Sequence, residues 1–188
     1  MPDRARKFKF IGCEVIYREA CYLAATGPHR VDVEFLSKGL HDLDRQDMAG
    51  RLQAAVDAVD PQAGYEAILL GYARCNDGVA GLRARDIPLV IPKAHDCITF
   101  FFGSRAAYER YFNEHPGTYF KTSGWSEREI DPSQWCQPAY GQAGVMAKLG
   151  LAESHEELVA KYGSENAEFI RLTIGDWHRN YKRLCYVE

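Results

Sequence analysis

The chain has 188 residues, of which 46% are hydrophobic and 26% charged, as is typical of a soluble globular protein. Its net charge of −3 gives no reason to expect binding to nucleic acid or to an anionic membrane. The N-terminal segment MPDRARKFKF lacks the apolar run of a signal peptide, and no stretch approaches the roughly 20 apolar residues of a transmembrane helix. We therefore expect a cytoplasmic protein in which residues 1–188 form a single α/β domain.

The first half of the chain alternates strand patterns with helical patterns. Strands are predicted at FKFIGCEV, VDVEFL, EAILLGY and PLVIP, and the last two are apolar throughout, as strands covered on both faces are. Helical periods follow over residues 14–25 and within 39–60, and the glycine-rich stretch CNDGVAGLRARD is predicted to lead into a short helix. This alternation predicts a Rossmann-like layered fold, with a mostly parallel sheet and helices on both faces.

From Ser104 onward the pattern becomes mainly helical. Ser104 is typical of an N-cap for the helix SRAAYERYFNE, and Ser154 stands three residues before Glu157, which is capping-box spacing. Further helices are predicted over residues 139–161 and 165–182, and LCYVE indicates the start of a last strand. Residues 113–138 form an aromatic loop region that either covers a binding crevice or builds a satellite core.

Three of the six cysteines follow predicted strands. Without an export signal, free thiols, metal ligands or nucleophiles are better interpretations of these cysteines than disulfides. Cys13, Cys75 and Cys97 each come directly after a strand, and the carboxyl ends of parallel strands share the edge at which α/β sheets bind ligands. We therefore expect these three cysteines to converge. Packing accounts for Cys21 on an apolar helix face, and no motif surrounds Cys136 or Cys185.

The local sequence favours ionised thiols at these three positions. Asp96 is a candidate N-cap, which would place Cys97 in the first turn of a helix, where the helix dipole stabilises a thiolate. Three thiolates in one crevice would repel one another, and a cation or a cluster would relieve that repulsion. The pattern therefore predicts a metal site with Cys13, Cys75 and Cys97 as ligands. Zinc and a 4Fe–4S cluster both remain open.

Polar residues beside the cysteines are further candidates. His95 either completes the metal site or acts with Asp96 as a catalytic general acid/base; it is equally well interpreted as a core histidine bonded to a carbonyl. His41 also follows a strand and either lines the crevice or caps the next helix. The CNDGVAG turn, with Asn76 and Gly78, either cradles a phosphate or carboxylate of a cofactor through backbone N–H groups or is an ordinary turn.

Several segments together resemble a known family. GCEVIYRE, AILLGYARCNDGVAGLRA, PLVIPKAHDCITFFFGS and PGTYFKTSGW are similar in order to the domain of unknown function family 1638, from about residue 8 to about residue 126. The resemblance implies a cytoplasmic protein of bacteria or archaea that carries the family's cysteine pattern at Cys13, Cys75 and Cys97, with His95 and Asp96 beside the last. It also implies an association with corrinoid-dependent methyltransferases for methylamine-like substrates. Relatives continue past LCYVE, so we expect a C-terminal segment to be lacking.

Three functions follow from these residues. The first is a metal- or cluster-binding protein of corrinoid-linked one-carbon metabolism, with a small-molecule substrate or a corrinoid or methyltransferase protein as partner. The second is a non-enzymatic metal carrier, sensor or methyltransferase accessory protein built on the same site. The third is a metal-free enzyme with Cys97 as nucleophile and His95 as base, although adjacent residues usually point apart and suit direct proton transfer poorly.

Overall fold

A four-stranded parallel sheet forms the centre of the protein. The computed structural model describes residues 4–127, 154–170, 172 and 181–187. The strands of this sheet are β1 (Lys7–Cys13), β2 (Arg30–Leu36), β3 (Ala67–Gly71) and β4 (Leu89–Val90). Their order is β2-β1-β3-β4, and all three pairings are parallel. Together with the helices that flank the sheet, this confirms the predicted α/β, Rossmann-like layered fold.

Seven α-helices and a second strand pair lie in the described ranges. The helices are α1 (Tyr17–Thr26), α2 (Arg45–Asp57), α3 (Ile98–Phe101), α4 (Arg105–Glu114), α5 (Ser123–Glu127), α6 (His155–Tyr162) and α7 (Ser164–Ile170). Strands β5 (Thr118–Thr122) and β6 (Arg183–Val187) pair in parallel with each other. Single 3-10 turns occupy Glu14–Ile16, Lys38–Asp42, Pro61–Ala63 and Cys75–Asp77.

The predicted caps are confirmed in detail. The Ser104 hydroxyl accepts a hydrogen bond from the Ala107 N–H at 3.1 Å and starts α4. Ser154 and Glu157 form the reciprocal capping box at the start of α6. Each such bond satisfies backbone N–H groups that have no partner within the helix, which is why these sequence signals locate helix starts reliably.

Three sequence predictions differ from the structure. The connection from β3 to β4 contains turns and no α-helix, so the short helix predicted after CNDGVAG was wrong. The stretch predicted as an aromatic loop contains β5 and α5. The predicted helices over 139–161 and 165–182 agree with α6 and α7, except that the second was drawn too long, because Tyr181 and Lys182 are not helical; residues 139–153, 171 and 173–180 lie outside the described ranges. The predicted last strand at LCYVE is confirmed as β6.

One face of the sheet carries the main core. Alternation along β1 and β3 places Ile11 and Leu70 on the same face, where α2 packs on them with side chains spaced four residues apart. The α2 residues that fill this core, each 0–3% exposed, are Met48, Leu52 and Val56. Burying side chains of this size contributes about 1.5–3 kcal/mol each. Cys13 and Tyr72 lie on this same face.

The opposite face presents Phe10 and Leu69, with α1 packed beside them. The Phe10 ring lies over two glycines of the sheet, Gly12 and Gly71, where an added Cβ would come within 2.4 and 2.3 Å of the ring. The two glycines therefore make room for an aromatic ring close to the backbone of β1 and β3.

The second strand pair carries an aromatic cluster. Phe120 of β5 makes ring contacts with Phe102, Tyr108 and Tyr111, with centroids 5.8–5.9 Å apart. Trp125 of α5 packs against the main core instead. The described part of residues 113–138 is thus packed structure in its own right; residues 128–138 lie outside the described ranges, and a covering role for this region stays a prediction.

No helix in the described ranges is both long and apolar enough to cross a membrane.

We predict that Gly124→Ala destabilises the protein, because an added Cβ would lie 1.8 Å from the carbonyl oxygen of Val15. A backbone atom cannot rotate away, so we expect a loss of about 1–3 kcal/mol in the free energy of unfolding. Gly50→Ala in α2 is the matched control: nothing lies within 4 Å of its added Cβ, and it should be neutral or slightly stabilising. Denaturant melts of both variants check this. Equal stability of the two variants would contradict the packing of α5 against the turn after Cys13.

Candidate functional site

The sheet order places two cysteines at its centre. Cys13 is the last residue of β1, and Cys75 follows the neighbouring strand β3 by four residues. The chain leaves β1 toward β2 on one side, while β3 leads to β4 on the other. This reversal between β1 and β3 is the point at which open α/β sheets form a crevice for ligands. Cys97 follows β4 and reaches the same edge.

Cys75 and Cys97 are in direct contact. Both side chains are half-buried, and the Cys97 thiol donates a hydrogen bond to the Cys75 sulfur. That bond lowers the pKa of Cys75 to about 7, while the same interaction and burial raise the pKa of Cys97. Near neutral pH the pair therefore carries at most one negative charge, which resides on Cys75, while Cys97 stays a thiol.

The turn that presents Cys75 is strained. Asn76 and Asp77 both have a φ of 51°, in the left-handed region that non-glycine residues seldom adopt. The Asn76 side chain donates a hydrogen bond to the carbonyl of Leu43 at 2.6 Å, and Asp77 pairs with Arg74 at 2.6 Å. These bonds hold the unusual backbone in place, and strain of this kind is typically retained at functional sites.

Cys13 forms a second contact with His41. Its Sγ lies 3.5 Å from the Nε2 of His41, and only 3% of the cysteine is exposed. Burial raises the pKa of Cys13 to about 12 and lowers the pKa of His41, so a neutral thiol faces a neutral imidazole. The charge of Cys75 also raises the pKa of Cys13, which shows that the two contacts share one electrostatic environment. The structure thus places His41 beside Cys13, and a role in lining a ligand crevice stays a prediction.

Tyr72 also lies beside these cysteines, which the sequence did not predict. Its side chain is 1% exposed, and its hydroxyl has no hydrogen-bond partner of normal geometry among the described residues, although the Cys13 sulfur lies beside it. Burial raises the pKa of Tyr72, and the neighbouring Cys13 and Cys75 raise it further. Sulfur is a weak hydrogen-bond acceptor, so the buried hydroxyl retains part of the cost of about 1–3 kcal/mol that an unpaired polar group carries. This atom is the least well satisfied polar group found beside the described cysteines.

His95 lies apart from the cysteines' contacts. Its side chain is 81% exposed, and its Nδ1 is 3.2 Å from the carboxylate of Asp96. Asp96 accepts further hydrogen bonds from the Tyr108 hydroxyl at 2.9 Å and from the Thr99 N–H, in the first turn of α3, at 3.2 Å. The N-cap position of α3 is Cys97 rather than the predicted Asp96, so Cys97 precedes the helix instead of lying in its first turn. The Asp96 charge raises the pKa of both Cys75 and Cys97, which places negative charge beside the thiol pair.

The residues predicted to cradle a cofactor have packing roles. The side chain of Asn76 is engaged with the carbonyl of Leu43. Gly78 is required for packing, because an added Cβ would come within 2.5 Å of Met48. Both residues therefore support the turn that carries Cys75, and a cofactor contact for them stays a prediction.

The described residues do not hold a preassembled metal site. Within residues 4–127, 154–170, 172 and 181–187, no group of three or more His, Cys, Asp or Glu side chains is arranged to hold a metal ion. The Cys75–Cys97 and Cys13–His41 contacts are separate pairs, and a shared ion would require side-chain rotation to bring them together.

Sequence reasoning gave His41 two roles and missed Tyr72. Tyr72 ends the apolar run EAILLGY, and a tyrosine at the end of a buried strand looks like core. The available signal was strand alternation, which puts Tyr72 on the same face as Ile68 and Leu70 and therefore on the face of Cys13.

Comparison with known proteins identifies a family. The family model described as "Protein of unknown function (DUF1638)" matches residues 35–188. That range contains Cys75, Cys97, His95 and Asp96, whereas Cys13 precedes it. No curated protein and no solved structure matches the chain. Because the match covers more than half of the sequence, the chain belongs to the DUF1638 family.

Proposed function

We propose that Cys13, Cys75 and Cys97 bind a thiophilic metal ion or an iron–sulfur cluster at the carboxyl edge of the parallel sheet. The observation that carries this proposal is the thiol–thiolate contact between Cys75 and Cys97, with Cys13 near enough for the charge of Cys75 to raise its pKa. Three sulfur atoms from three strand ends in one electrostatic environment are a donor set that zinc, copper(I) and iron–sulfur clusters prefer.

The charges around the sulfurs support a cationic occupant. Asp96 acts on Cys75 and Cys97, Glu14 acts on Cys13, and the charge of Cys75 raises the pKa values of the other two thiols. The charge of Lys38 lowers the pKa of Cys13, but the other charges disfavour a second and third thiolate in the free protein. A metal cation reverses that balance, so its binding would release protons from Cys13 and Cys97.

The residue types present suit such a centre, and side-chain rotation would have to bring the Cys75–Cys97 and Cys13–His41 pairs together around it. His41 offers a neutral imidazole nitrogen beside Cys13, and three sulfurs with one nitrogen form a common zinc donor set. The unpartnered Tyr72 hydroxyl would supply a polar group next to the ligands. When bound, zinc supplies a Lewis acid, whereas a 4Fe–4S cluster held by three cysteines supplies one iron without a protein ligand.

The proposed metal centre is compatible with two biological roles. As an enzyme, the protein would act on a small molecule or on a corrinoid protein, in line with the resemblance to proteins that accompany corrinoid-dependent methyltransferases. As a carrier, sensor or accessory protein, it would pass on or report the metal. Cys75 and Cys97 are half-buried residues, and either role would require a substrate or an acceptor ligand to reach their sulfurs. Turnover distinguishes the two.

A second candidate function is metal-free thiol chemistry. It is favoured by the hydrogen bond from Cys97 to Cys75, which prepares one nucleophilic sulfur in a half-buried position. In this arrangement the nucleophile is Cys75 rather than Cys97. The exposed His95 is paired with Asp96, so the thiol of Cys97, and not His95, is the group that hydrogen-bonds the thiolate.

Anaerobic purification should yield protein with bound metal, measured as metal and acid-labile sulfide per chain together with a visible spectrum. Iron with sulfide would identify a cluster; zinc alone would identify a Lewis-acid or structural ion. We expect Cys13→Ala, Cys75→Ala and Cys97→Ala to lose the metal while keeping the native circular dichroism spectrum. Cys21→Ala, at an exposed cysteine of α1, is the matched control and should retain it. Metal-free wild-type protein, or stoichiometric metal in Cys97→Ala, would overturn the proposal.

Tyr72→Phe should have opposite effects on the free and the metal-loaded protein. Removing the unpartnered hydroxyl should stabilise the metal-free chain by about 1 kcal/mol, because a buried desolvated group is lost. If the hydroxyl serves the metal centre, the same change weakens metal binding. Denaturant melts and competitive chelator titrations measure the two effects. Lower stability of metal-free Tyr72→Phe would show that the hydroxyl has a partner in solution.

The thiol pair predicts a distinct alkylation profile in metal-free protein. Cys75 should react with iodoacetamide along a pH curve centred near 7, followed residue by residue by mass spectrometry. Cys97→Ala removes the hydrogen-bond donor, so the pKa of Cys75 should rise and its rate at pH 7 should fall on the order of tenfold. Cys21→Ala should leave the curve unchanged. A Cys75 curve that is insensitive to Cys97→Ala would show that the two sulfurs are not in contact.

A further inference from the structure

A cavity of about 380 Å³ lies on the sheet face opposite α2. Phe10 and Leu69 of β1 and β3 form its floor, α1 forms one wall, and Phe100 and Phe101 of α3 form another. Its volume lies within the range of pockets that bind small molecules, which are mostly apolar with a few polar groups. None of the candidate ligand cysteines lines it.

Glu19 is the exception in this apolar lining. It is the only polar side chain among the described residues that line the cavity. Its Oε1 is 3.5 Å from the Ser123 hydroxyl, while its Oε2 is buried and has no hydrogen-bond partner in the described structure. A carboxylate oxygen kept from water without a partner is costly, and a ligand that donates to it would recover that cost.

We propose that this cavity binds a small molecule with an apolar body and a protonated amine. The Glu19 carboxylate would rotate toward the cavity to accept a hydrogen bond from the ammonium group, because its unpartnered oxygen is enclosed in the present conformation, and the apolar body would cover Phe10, Leu69 and Ala20. Phe10, Phe100 and Phe101 offer aromatic rings that attract a cation in addition to apolar contact. A neutral alcohol of the same shape would bury the same apolar surface and form one hydrogen bond, but it would lack the charge interaction with Glu19. A carboxylate of the same shape would be repelled by Glu19.

The cavity adjoins the cysteine segments along the chain. Ile16 lines it three residues after Cys13, Gly71 lines it four residues before Cys75, and Phe100 lines it three residues after Cys97. The proposal does not depend on metal binding, because Glu19 and the aromatic lining lie outside the proposed ligand set. If the metal proposal and the amine proposal are both correct, the amine in the cavity contacts the same three chain segments that carry the metal-binding cysteines.

The test uses three probes of matched shape: 4-phenylbutylamine, 4-phenylbutan-1-ol and 4-phenylbutanoate. Calorimetric titration of the wild-type chain at neutral pH should show saturable binding of the amine, at least tenfold tighter than the alcohol, with the carboxylate weakest. Glu19→Gln should reduce the affinity for the amine to that for the alcohol, since it keeps the shape and removes the charge. Ala20→Phe, which fills the cavity, should weaken the binding of the amine and of the alcohol to a similar extent.

Two control variants distinguish binding in this cavity from binding elsewhere on the chain. Glu66→Gln, at an exposed carboxylate outside the cavity, should leave all three affinities unchanged. The metal-free Cys97→Ala variant should still bind the amine. A failure of the metal proposal would therefore not count against amine binding in the cavity. Absence of saturable amine binding by the wild type would overturn the inference. So would an amine preference that survives in both Glu19→Gln and Ala20→Phe, each verified as folded by circular dichroism.

Discussion

The parallel pairing of β1 with β2 on one side and with β3 on the other is the constraint on which the site depends. Ile11 of β1 pairs with Leu70 of β3 in register, and both are almost fully buried under α2. A shift of one residue would turn these side chains to the other face and remove the core, so the hydrophobic effect fixes the register. The same register fixes where β1 and β3 end, and it therefore brings Cys13 and the turn of Cys75 to one edge.

Burial and hydrogen bonding then divide the thiols into two chemical kinds. Cys13 is deep in the core and neutral, because desolvation disfavours its thiolate, whereas Cys75 is half-buried and has a thiol donor beside it. The free protein can thus keep one thiolate without a cation but not three. If the proposed metal binds, all three thiols would ionise only in its presence, and the proton state of the cysteines would then follow metal occupancy.

Much of this could be predicted from the sequence, for identifiable reasons. The strands were predictable because EAILLGY and its neighbours are apolar runs, and the shared edge of Cys13, Cys75 and Cys97 follows from parallel topology alone. The β5–β6 pair was missed because Thr118–Thr122 lies among turn residues and pairs with a strand that is distant in sequence, Arg183–Val187, which leaves no local signal. Side-chain direction at His95 was equally unpredictable, since it depends on how Asp96 bonds to His95 and to the first turn of a short helix.

Strand parity is the reason why a polar site and an apolar cavity lie so close together. Along β3, alternate side chains point to opposite faces, so Tyr72 joins the cysteines on the α2 face while Leu69 and Gly71 form the floor of the cavity on the other. The sheet alone would keep the two regions apart. Cys97 spans the division, because it contacts Cys75 and also precedes α3, whose Phe100 lines the cavity. The short helix α3 and the residue before it are therefore the part of the chain that the thiol pair and the cavity have in common.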